Sequence, residues 1–114
     1  MLCDDLMFTS KVTATARAQG LTVVAVRSAA QVVAHAQALP PACVIVDLHN
    51  PDLDLPALLA ALRAACPTMP RVIAYGSHVN KELLKAAQAA GCDMVLPRSR
   101  FVATLEADLA AWLA

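Results

Sequence analysis

A doubly wound α/β fold, with helices on both faces of a parallel sheet, is what this sequence predicts, and three observations predict it. Four short apolar runs, "LTVVAV" (21–26), "CVIVDL" (43–48), "RVIAY" (71–75) and "DMVLP" (93–97), are continuous rather than alternating. Strands written this way are covered on both faces, the mark of a parallel sheet inside helices. Segments of helical length and period lie between the runs, so strand and helix alternate with short connections. That order closes through right-handed crossovers.

The elements follow from the amino end. "MLC" is a fifth candidate strand, shorter than a typical one. A first helix is predicted over 7–19, with Phe8, Val12 and Ala16 on one stripe and Gly20 at its end. The second, over 28–38, opens on Ser28 with Gln31 three places on, a capping-box pattern. The third, 54–65, has Asp54 as cap, Pro56 in the first turn and Leu55, Leu58, Leu59 and Leu62 as its buried stripe. The fourth, 80–90, is capped by Asn80, packs through Leu83, Leu84 and Ala87, and stops at Gly91. The last, 99–113, packs through Phe101, Leu105, Leu109 and Trp112.

Composition bounds the function. The 114 residues are the size of one domain, 1–114, and with 59% apolar and 16% charged residues most of it should be packed. Nine basic residues balance nine acidic ones, leaving no field to hold a polyanion, so no nucleic acid partner is expected. No apolar run approaches the ~18 to 20 residues that span a bilayer, and "MLCDDLMF" lacks the basic start of a secretory signal. The expectation is a cytoplasmic protein without a membrane partner. Cys3, Cys43, Cys66 and Cys92 form no CxxC and are read as free thiols. Three glycines cannot build a dinucleotide fingerprint or a phosphate loop, and "YGSHV" lacks the second glycine of a serine-nucleophile elbow. No enzyme activity is expected.

In an open parallel sheet, chemistry collects beyond the carboxyl ends of the strands. The residues there are Asp4 and Asp5, then Asp47 with His49, then Gly76, Ser77 and His78, then Pro97, Arg98 and Ser99, with Arg27 and Ser28 farther out. Three carboxylates on one edge repel unless a cation intervenes, and the economical one is Mg²⁺. A carboxylate beside such a metal can act as a nucleophile toward a phosphoryl group, with Arg98 neutralising the added charge. His49 and His78 fall at the pocket mouth, where imidazole could join the carboxylates on a softer metal. "DLHN" shares Asp-x-His with cobalamin-binding α/β domains, but Asp52 stands where their glycine would be.

"CDDLMF", "VIVDLHNP", "RVIAYGS" and "GCDMVLPRSRF" resemble the receiver domain of bacterial response regulators, and the resemblance covers essentially the whole chain. It implies a flavodoxin-like five-stranded parallel sheet of order 2-1-3-4-5. It also implies Mg²⁺ held by the acidic pair Asp4 and Asp5, and Asp47 as phosphoacceptor in a two-component or phosphorelay system. A histidine kinase or phosphotransfer protein would be the partner, and the last helices, with Trp112 near the terminus, a surface for a homodimer or another protein. The switch positions depart from the family. Gly76 stands where the family has threonine or serine, with Ser77 one place late. Counted from Gly91, Arg98 then Ser99 replace lysine then proline, whereas keeping the proline in register puts Leu96 in the lysine's place. Val95 replaces the switch aromatic. Arginine is bulkier than lysine and grips carboxylates bidentately, so Arg98 could hold Asp47 in a standing ion pair. Two other readings stay open: a degenerate pseudo-receiver acting as a phosphorylation-independent interaction module, and a metal-binding module built from Asp4, Asp5, Asp47, His49 and His78.

Overall fold

Four of the five described helices begin where a short polar side chain satisfies the first free backbone N–H groups. In the computed structural model, which describes residues 1–113, Asp5 caps α1 (Leu6–Ala18) by accepting from the Met7 and Phe8 N–H groups. Ser28 and Gln31 form the expected capping box on α2 (Ala29–Ala38). Asp54 caps α3 (Leu55–Ala65), and Asn80 caps α4 (Lys81–Ala90), which ends on Gly91 at φ 111°. That left-handed conformation is what selects glycine there. The last helix, α5 (Arg98–Trp112), follows Pro97 directly and has no side-chain cap.

The strands β1 (Cys43–Asp47), β2 (Arg71–Gly76) and β3 (Met94–Pro97) are parallel, in the order β1-β2-β3. Register places Asp47 beside Tyr75 and Gly76 beside Pro97, so the strand ends are level. The two runs expected as further strands, 1–3 and 21–26, differ from the reading: they make single parallel bridges, Leu2 to Val26 and Leu2 to Val46. Backbone bonds still thread them together, Leu2 N to Ile45 O at 2.8 Å, Asp47 N to Leu2 O at 2.9 Å and Cys3 N to Val26 O at 3.0 Å. The physical reason is length and position. Met1–Cys3 is too short for a ladder, and the 21–26 run is covered on one side only, with Thr22, Val24 and Ala25 exposed.

Two apolar layers enclose the sheet. Under α2, α3 and α4 the core is aliphatic, with the whole Leu55, Leu58, Leu59 and Leu62 stripe buried. Under α1 and α5 it is aromatic: Phe8, Tyr75, Phe101 and Trp112 stack in succession at ring-centre distances of 4.8, 4.6 and 5.5 Å for Phe8–Tyr75, Tyr75–Phe101 and Phe101–Trp112. Trp112 is only 4% exposed, so it belongs to the core and supplies no surface for a partner. At the amino ends of the strands a cleft of about 420 Å³ is lined by Val23, Val26, Val32, Ala36, Leu39 and Ile45, among others. Among the described residues no helix is long and apolar enough to cross a membrane.

Candidate functional site

The carboxyl ends of the strands hold one deeply placed charge. Asp47, the last residue of β1, is 6% exposed although its side chain is ionisable. It sits there because the apolar Val44–Val46 draws the strand inside and Asp47 is the strand's last residue. A buried carboxylate needs donors and a counter-charge. Asp47 has both: His49 N–H donates to Oδ1 at 2.9 Å, the Cys3 thiol donates to Oδ2 at 3.4 Å, and Arg98 Nη2 lies 4.0 Å from Oδ1.

Behind the carboxylate lies a relay that sequence reading missed. Tyr75 Oη donates to Cys3 Sγ at 3.2 Å, and Cys3 donates onward to Asp47. Both donors are held protonated. Burial pushes the Cys3 thiol up from its ordinary value, and the Asp47 charge adds to this. Burial also pushes the Tyr75 phenol up, reinforced by the Cys3 hydrogen bond and then by Asp47. The available signal was positional: Cys3 precedes Asp4 at a strand end, and Tyr75 occupies the β2 position level with Asp47.

The other acidic residues are arranged differently. Asp5 is exposed and uses Oδ1 for the α1 cap, at 3.0 Å from Met7 N and 3.2 Å from Phe8 N. Asp4 is exposed and its Oδ1 lies 3.9 Å from Arg27 Nε. Among the described residues no three His, Cys, Asp or Glu side chains are gathered as a metal cage. Carboxylates are the ligand type a hard cation takes, and the α1 cap uses only Oδ1 of Asp5. His49 Nε2, by contrast, already accepts the Ser77 N–H at 2.9 Å.

Of the remaining positions, Ser77 Oγ accepts the Val79 N–H at 3.4 Å, a loop role. Ser77, His78, Arg98, Ser99 and Val102 line a shallow opening. Val95 lies in β3 beside Ala74 and packs against the aliphatic layer. Asn50, also missed, is buried and ties the loop after β1 to Arg27 through Nδ2 to the Arg27 carbonyl at 3.1 Å. All four cysteines are free, with Cys3 and Cys66 buried.

No family model matches the sequence, and no curated protein matches it. Solved structures do match the fold. The receiver domain of NtrX from Brucella abortus superposes with a TM-score of 0.81 at 19% identity, covering 98% of this chain and 94% of that one. The receiver domain of the sensor histidine kinase PA1611 from Pseudomonas aeruginosa, with magnesium in its active-site cleft, gives 0.80 at 21% identity, covering 98% and 93%. The Mn²⁺-bound response regulator Rcp1 gives 0.77 at 15%, covering 98% and 91%. With a parallel sheet between helices and these neighbours along nearly its whole length, the chain has the flavodoxin-like fold of a response-regulator receiver domain.

Proposed function

We propose that this chain is a receiver-type signalling unit in which Asp47 accepts a phosphoryl group. The observation that carries the reading is the setting of Asp47: a buried carboxylate at a strand end, with Arg98 4.0 Å away. Transfer would form a bond from an Asp47 oxygen to phosphorus and release the donor's leaving group. Arg98 would take up the added negative charge. Asp4, Asp5 and Asp47 would be the carboxylates that hold Mg²⁺, and the ion would supply positive charge to offset that of the incoming group. Neighbours bound to magnesium and manganese support the choice of a divalent cation. The donor would be a histidine kinase or phosphotransfer protein. A homodimer or another partner would use the outer faces of α4 and α5. On this reading the bridges at Leu2 and Val26 stand for the two remaining strands of the order 2-1-3-4-5.

The experiment is direct. The protein is incubated with Mg²⁺ and acetyl phosphate or phosphoramidate and its intact mass is read. A phosphate-sized gain, absent in Asp47→Asn, is the expected result. No gain in the parent chain would reject the reading in favour of a phosphorylation-independent interaction module. That second reading has its own observation: the Arg98 guanidinium already faces Asp47, while Gly76 and Val95 lack the side chains that would respond.

A further inference from the structure

The loop leaving β1 and the loop leaving β2 are joined by one imidazole. The Ser77 N–H donates to His49 Nε2 at 2.9 Å, and the His49 N–H donates to Asp47 Oδ1 at 2.9 Å. One residue therefore carries a bond at each end, from the buried carboxylate to the first residue after β2. Gly76 lies against this imidazole. A Cβ there would meet His49 Nε2, Leu48 Cδ1 and Leu84 Cδ2, each at 3.4 Å. From Ser77 the path continues to α4: the Asn80 N–H donates to the Ser77 carbonyl at 3.1 Å, and Asn80 Oδ1 caps α4 at Leu83 N.

We propose that His49 is a positioning residue that transmits the state of the Asp47 carboxylate to the β2–α4 loop and the start of α4. Its signalling meaning rests on the function proposed above, but the coupling itself does not. Any change at Asp47 Oδ1 alters the hold on the His49 N–H. Through the ring it alters the hold on the Ser77 N–H. Arg98 approaches the same oxygen, so a new charge there sets guanidinium and backbone donor in competition. To accept from Ser77, Nε2 carries no proton and the ring proton sits on Nδ1, a tautomer fixed by the hydrogen bond.

A double-mutant cycle read by amide hydrogen exchange tests this. Asp47→Asn is expected to change exchange at Ser77 by about threefold or more in the parent chain and by less than about 1.5-fold in His49→Ala, the signature of coupled sites. His49→Gln, whose side-chain carbonyl can accept the same N–H, restores the coupling. The ¹⁵N spectrum of the parent shows the Nδ1–H tautomer at His49. Equal changes in both backgrounds, or an Nε2–H tautomer, would overturn the proposal. If Asp47→Asn does not fold, Asp47→Glu, which moves the oxygens, is read in the same cycle. The readouts need no phosphodonor. An intact cycle without phosphorylation therefore rejects only the function, and phosphorylation without the cycle rejects only the coupling.

Discussion

At the carboxyl end of the sheet, Asp47 is withdrawn from water and met by Arg98, the Cys3 thiol and the His49 N–H. At the amino end the Met1 ammonium is partly exposed, and it donates to one carbonyl, Val24 O, at 2.8 Å. Burial pushes that amine down to about 6, and the neighbouring Cys43 thiol up to about 11. The first end surrounds its charge with donors and a counter-ion. The second, beside an apolar cleft, leaves its groups to give up charge by titration.

The largest test of this contrast removes the kept charge. Asp47→Ala strips the acceptor from the Cys3 thiol and the His49 N–H, and should lower stability by about 1–3 kcal/mol. In urea this is a lower midpoint at unchanged slope. A variant as stable as the parent would mean that burying the carboxylate outweighs all that its partners return, and the contrast would fail.

A smaller test separates the exposed acids at the same end. Asp5→Ala loses the α1 cap and should lose about 1 kcal/mol. Asp4→Ala loses only a solvated pair with Arg27 and should stay within about 0.5 kcal/mol of the parent. Equal losses in thermal unfolding would contradict the separate roles of these two residues.

The smallest effect lies at the amino end. The Met1 amine titrates about 6 when folded and 8.0 when free, so between these values the unfolded chain binds more protons. Stability should therefore rise from pH 6 to pH 8 and level off above, as linkage requires. Met1 is partly exposed, so the gain is less than about 1 kcal/mol. Acetylating the α-amine should flatten this part of the profile, and an unchanged slope would remove the amine from the account.

Sequence reading reached the elements whose cause is local. Ser28, Asp54 and Asn80 cap where their patterns predict, and the leucine stripe of α3 is buried as its spacing requires. It also placed Asp47 at the end of a buried strand, since the apolar run before it sets the strand's position. It overstated the runs 1–3 and 21–26, since whether a strand gains a ladder depends on its neighbours and not on its own composition. In α1 the stripe was slightly misplaced: Thr9 is buried, while Phe8 is half-buried and finds its place in the aromatic stack. The Cys3–Tyr75 relay and the His49 bond join residues distant in sequence, and nothing in their local pattern distinguishes them. The pairing of Asp4 with Arg27 was equally hidden, because one carboxylate suits several roles.

The aromatic stack has an optical consequence. Trp112 is the chain's sole tryptophan, and it lies at the end of α5 against Phe101, which in turn meets Tyr75. Excited at wavelengths that only indole absorbs, the protein reports on the seating of this one helix. Circular dichroism averages over all five. Emission that shifts before ellipticity falls would time the release of α5 against the melting of the rest, with no label added.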